Sequence, residues 1–158
     1  MLGMKYQEYI KGAAAQQVKD FFTAVKKVPA DKLEWKPLDM GRSVLSQCQE
    51  IAMSFSWSTD MLQGKAEFSE EAMAADQAVM AGWTTVEECE KQAHEKLAAW
   101  QEFVSTYPDE KLSETLWLPF DGGRDFTMSE IMEYPRWNAA YHEGQVNYIQ
   151  TLYGDNSF

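Results

Sequence analysis

The chain has 158 residues, 45% of them hydrophobic, with six Trp and nine Met, so it has the material for one sizeable core and is not a disordered polymer. Twenty-five acidic residues against 14 basic ones leave a formal charge of −11, which argues against gripping nucleic-acid phosphates or docking on anionic lipid. One domain over residues 1–158, soluble and cytoplasmic, is the expectation.

The opening, MLGMKYQEYIKG, has no apolar stretch of signal-peptide length, and no later run approaches the length of a membrane span. Cys48 and Cys89 lack metal-type spacing and are too few for a disulfide framework. Both fall at helical core positions, so buried reduced thiols are expected.

The first helix is expected from about Gln7 to Lys27, with Ile10, Ala14, Val18, Phe21 and Val25 on one apolar stripe. Val28-Pro29 ends it, because the residue before proline is pushed out of helical geometry. Lys32 to Met40, with Trp35 and Pro37, reads as an extended connector. The second helix runs from an N-cap at Ser43 to about Gln63, stopped by Gly64. Its core stripe is Leu45, Cys48, Ala52 and Phe55. Glu50 lies at the edge of that stripe, with Gln47 one turn before and Ser54 one turn after. The connection Lys65 to Trp83 has room for a short helix within Glu70–Met80 and is long enough to cross the end of a bundle.

Thr84-Thr85-Val86-Glu87 has the form of a capping box and opens the third long helix, whose stripe is Val86, Cys89, Ala93, Leu97, Trp100 and Val104. Tyr107-Pro108 ends it. Leu116 to Phe126 reads as two short extended pieces around an Asp-Gly-Gly turn. A second box, Thr127-Met128-Ser129-Glu130, opens the last helix, which contains Pro135 and should kink there. The pattern is all-α: a four-helix bundle with a long crossover between helices 2 and 3.

The last helix holds the unusual pattern. Ile131, Pro135, Asn138, His142, Gln145 and Ile149 fall on or near one stripe, apolar at both ends and polar in the middle. A core-facing stripe with three polar side chains is either a buried hydrogen-bonded network or a site. Glu50 is the acid placed to face Asn138 and His142, and an ionised Glu is costly to bury unless it is paired or metal-bound. As a metal site, the imidazole nitrogen, carboxylate oxygen and amide oxygen would suit a weakly held divalent ion such as nickel, manganese or zinc. As a network, the same three side chains would fix helix register without an ion.

The surrounding motifs carry a resemblance. Trp35-x-Pro37 and Gly41-Arg42-Ser43-Val44 precede and open the second helix. Thr127-x-x-Glu130 opens the last, which contains His142-Glu143-Gly144-Gln145. A long-crossover bundle with these segments resembles the DinB/YfiT-like family of metal-dependent proteins. The likeness in layout covers essentially the whole chain, while the specific motifs are short. The resemblance implies a homodimer and a triad of one His on the second helix and two on the last. At those places this chain has Glu50, Asn138 and His142. It also implies chemistry of the kind relatives perform with low-molecular-weight thiols, where a metal lowers the thiol pKa. Two expectations follow. One is a metal-dependent transferase (thiol-using) or hydrolase acting on a small molecule. The other is a binding or structural bundle that has lost the metal.

Other residues admit plainer roles. His94, among Lys91, Gln92 and Glu95, is expected on a solvated face. Trp57, Trp100, Trp137 and Tyr141 either line a pocket or fill the core. Arg42 and Arg136 are anion contacts or helix-end salt bridges.

Overall fold

The computed structural model describes residues 3–38 and 40–157, with backbone alone at 121; the parts of the expected 1–158 unit at 1, 2, 39 and 158 lie outside the described residues. The expected first stripe closes one wall of the core: α1 spans Tyr6–Val25 and buries Ile10, Ala14, Val18, Phe21 and Val25. The second wall is α2, Val44–Leu62, opened by Ser43, whose hydroxyl accepts from the Ser46 N–H at 3.1 Å. It ends before Gly64, which takes a φ of 69°, a left-handed value that suits glycine. Val44 is buried there and Leu45 only half-buried, so the stripe is rotated slightly from the expected one.

The remaining long helices are α4, Val86–Ser105, and α5, Met128–Leu152, with the shorter α3, Glu70–Ala81, between α2 and α4. Every residue of the expected α4 stripe is buried. α5 opens with the expected Thr127–Glu130 capping box and continues unbroken through Pro135. The α4 cap differs from expectation: Thr85, not Thr84, is the N-cap and accepts from the Glu88 N–H, without a reciprocal box. Trp83 is buried and its carbonyl accepts from Gln49 Nε2 at 2.9 Å. That anchor sets the entry, and the helix starts one residue later. Between α4 and α5, β1 (Thr115–Leu118) pairs antiparallel with β2 (Arg124–Thr127) around the Gly122-Gly123 turn.

Contacts between helices give the topology. α1 packs on α5 and α4, while α2 packs on α4 and α5. Tyr6 reaches Ser129 and Gln17 reaches Glu143, so α1 and α5 run parallel. Gln49 reaches Trp83 and Ser58 reaches Trp100, so α2 and α4 also run parallel. Two parallel neighbours cannot be joined by a tight turn, and the chain must travel back the length of the bundle. α3 is part of that return, and none of its residues is buried. It is tied down by Trp57 Nε1 donating to Asp76 at 2.7 Å.

The connector before α2 is not extended as expected. A 3-10 turn at Ala30–Lys32 is followed by tight turns, with Leu38 at a φ of 53° and the Gly41 N–H donating to the Pro37 carbonyl at 2.8 Å. A Cβ on Gly41 would lie 2.6 Å from that carbonyl oxygen, so only glycine closes the turn. The fold-back brings Trp35 edge-on to Tyr153 beyond α5, ring centroids 6.1 Å apart, with the Lys32 ammonium near both rings. Packing against the end of α5 overrides the extended preference of the connector.

Among the described residues no helix is long and apolar enough to cross a membrane. Because no residue of α3 is fully buried, its amides should exchange well before those of α1, α2, α4 and α5 in native-state hydrogen exchange. Trp57→Phe should speed α3 exchange further and leave the long helices unchanged; equal protection across all five helices would contradict this packing.

Candidate functional site

Glu50, Asn138 and His142 meet where α2 faces α5. Glu50 Oε1 accepts from Asn138 Nδ2 at 3.1 Å and lies 3.0 Å from His142 Nε2. Glu50 Oε2 accepts from Arg42 Nη1, and Arg42 Nη2 donates to the Ser46 carbonyl at 3.3 Å. On the far side of the imidazole, His142 Nδ1 faces Gln145 Oε1 at 2.7 Å and Gln47 Oε1 at 3.1 Å. Asn138, His142 and Gln47 are at most 3% exposed.

The local causes are helical spacing and length of reach. Asn138, His142 and Gln145 are four and three residues apart on α5, and Gln47 and Glu50 are three apart on α2. Arg42 precedes the α2 cap. Its side chain lies along the 42–46–50 row, passing the small Ser46 to reach a carboxylate two turns on. From the sequence Arg42 reads as an anion contact or a helix-end salt bridge, and the structure supplies Glu50 as its partner. Tyr134, one turn before Asn138, was missed: burial and then the Glu50 charge raise its pKa, so its phenol stays protonated.

Burial pushes the Glu50 carboxyl up, but the His142 hydrogen bond and the Arg42 charge outweigh it, and the pKa falls from 4.5 to about 2. Glu50 is therefore a carboxylate at neutral pH, and its imidazole neighbour must turn an N–H toward it. Nδ1 on the other side of the ring is enclosed by the Gln47 and Gln145 amides, so both sides of the imidazole are occupied within the protein. Acting as a base on an outside molecule would require breaking this arrangement.

The remaining candidates fall elsewhere. His94 is exposed on α4, 4.0 Å from Glu90. Cys48 and Cys89 are free thiols in the core; burial raises both pKa values, Cys89 to about 12, so neither offers a thiolate. Trp100 is core, edge-on to Phe55, and Trp57 is half-buried, whereas Trp137 and Tyr141 stack on each other at the surface. Arg136 pairs with Glu133.

Two ligands of one cation held at about 2.1 Å lie roughly 3 Å apart, and the separation of Glu50 Oε1 and His142 Nε2 matches. The other partners do not. Arg42 already places a full positive charge on the carboxylate, and Asn138 turns its amide nitrogen, which has no lone pair to give, toward Glu50. Among the described residues no three His, Cys, Asp or Glu side chains form a metal-holding group. The present donor set does not fit a resident divalent ion.

Beside this cluster lies a cleft of about 610 Å³ between the connector, the start of α2 and α5, with Arg42, Gln47 and Gln145 at its polar end and Trp35, Tyr141 and Tyr148 among its apolar walls. A smaller hollow of about 390 Å³ at the other end of α2, lined in part by Leu62, Phe103 and Tyr107, touches none of the polar cluster.

No protein-family model matches the chain, and no curated protein matches it. Solved structures do. One is YfiT from Bacillus subtilis, described as a probable metal-dependent hydrolase with an unusual four-helix bundle topology. It aligns with a TM-score of 0.76 at 13% identity over 98% of this chain and 92% of its own. Another is DfsB, described as a sibling lethal factor precursor, at a TM-score of 0.67 and 9% identity over 97% of this chain and 99% of its own. The fold is the DinB/YfiT-like four-helix bundle that the sequence motifs led one to expect, with a two-stranded ribbon added.

The depressed Glu50 pKa makes a prediction about acid stability. Its contribution is complete above about pH 4.5 and is lost as pH falls from there toward 2; the full shift corresponds to about 3 kcal/mol. Urea midpoints for Glu50→Gln should lie well below wild type at pH 7, and the gap should narrow below about pH 4. A gap independent of pH would refute the assignment. His142→Ala should cost roughly 1–3 kcal/mol at neutral pH, by stranding buried partners.

Proposed function

We propose that this chain is a small-molecule-binding protein in which the Arg42 guanidinium serves as the counter-cation of Glu50, without a metal ion. The observation that carries this is the division of the carboxylate. Oε1 takes Asn138 and His142, and Oε2 takes Arg42, so the charge is compensated by the protein's own N–H donors. The adjoining cleft supplies concave, mostly apolar space ending in a few polar groups, which is the usual form of a ligand site. Glu50, Asn138 and His142 hold the cleft's polar end in register in this scheme and perform no chemistry on the ligand.

A second possibility is a metal-dependent hydrolase or thiol transferase, with Glu50, Asn138 and His142 weakly holding nickel, zinc or manganese. The 3.0 Å spacing and the description of the structural neighbour YfiT favour it. It requires Arg42 to leave the carboxylate and the Asn138 amide to turn over.

Plasma mass spectrometry of native, untagged protein after dialysis against nickel, manganese and zinc separates the two. Wild type should remain substoichiometric. Arg42→Met, which removes the competing charge, should gain at least roughly tenfold in metal affinity, about 1.4 kcal/mol. His142→Ala in that background should abolish the gain, and His94→Ala should change nothing. Stoichiometric metal in wild type, lost in His142→Ala, would establish the metal-dependent alternative instead.

A further inference from the structure

Resting on the metal-free cleft proposed above, the geometry points to its ligand class: we infer an organic monoanion, a carboxylate carried on an aromatic or aliphatic body. The polar end of the cleft is made of donors. Gln47 is 1% exposed and turns its amide oxygen to His142, leaving its NH₂ group without a hydrogen bond among the described residues. Gln145 does the same from α5. Neither amide nitrogen is sealed away from solvent, so both can donate to a ligand oxygen in the cleft. Arg42, the third donor, uses two of its N–H groups on Glu50 and Ser46, and a guanidinium has five.

Electrostatics select the anion over a neutral acceptor. In a chain with 25 acidic residues, no acid is among the described residues that line this cleft. The Lys32 ammonium stands 5.8 Å from the Trp35 ring, which forms part of the wall, but Asp31 lies 3.9 Å from it, so the positive charge at the polar end comes from Arg42. Glu50 is already offset by Arg42 and lies behind it as seen from the cleft lining. The body of the ligand meets Tyr141, Tyr148 and Leu152, which are 52%, 65% and 47% exposed, an apolar wall left open to solvent. Gly144 has nothing within 4 Å of where a Cβ would stand, so the wall is recessed between Tyr141 and Tyr148.

The test uses three probes that share one body: phenylbutyrate, phenylbutanol and phenylbutylamine, titrated calorimetrically into metal-free wild-type protein. The acid should bind at least about tenfold more tightly than the alcohol, the worth of one charged hydrogen bond, and the amine should bind weakest. Gln145→Met, at a half-buried position that tolerates the change, should weaken the acid about tenfold and leave the alcohol unaltered. Gln47→Met should do the same where it folds, as judged by near-ultraviolet circular dichroism.

Alcohol or amine binding as tightly as the acid, or no binding of any probe at millimolar concentration, overturns the ligand assignment while leaving the metal-free proposal standing. Acid binding that appears only after a divalent ion is added overturns the metal-free proposal itself.

Discussion

A carboxylate held between two helices has to be compensated where it sits, and the upper part of this bundle is arranged around that requirement. Glu50 is only 20% exposed, so water screens it poorly. Three donors from two stretches of chain converge on it: Arg42 from before α2, and Asn138 and His142 from α5. Each donor then needs its own support. Gln47 and Gln145 face the imidazole, and the turn closed by Gly41 places Arg42 at the head of the row that leads to the carboxylate. Removing any one of them strands another, so these residues act as a unit.

Topology makes the meeting possible. α2 and α4 run parallel, as do α1 and α5, and the two pairs oppose one another. α2 therefore meets α5 antiparallel, with Ser58 near Ile131 and Gln47 near His142. The long return through α3 is the cost of placing α2 beside α4, and it leaves α3 on the outside with little to bury. At the other end, the connector folds against the tail of α5, and the cleft opens between them.

Two consequences for function follow from this geometry. The imidazole that would serve a metal or act as a base has both sides occupied and is 1% exposed. The groups that remain free, the two glutamine amides and part of the Arg42 guanidinium, line the cleft beside it. A ligand can meet these groups without disturbing the ionic network, whereas His142 would have to break its contacts with Glu50 to act on one. The bundle is shared with solved structures at 13% and 9% identity, so the backbone persists while most of the sequence changes.

Apolar periodicity alone determined where the four long helices lie and which faces they bury, because a stripe such as Val86–Cys89–Ala93–Leu97–Trp100–Val104 has one way to leave water. The polar interruption of the α5 stripe and the choice of Glu50 as its facing acid were legible for the same reason: spacing of three and four puts side chains on one face. Caps were legible to within a residue; the α4 start depended on Trp83 being pinned by Gln49, a contact between distant stretches. Only the tertiary structure decided what Glu50 would be neutralised by. Arg42 could have paired with any nearby acid or none, since a long side chain outside a helix has no periodicity to direct it. The folded connector, the left-handed Leu38 and the cleft beside them were likewise settled by packing against the end of α5. Local preference for an extended chain is weaker than the burial of Trp35 against Tyr153.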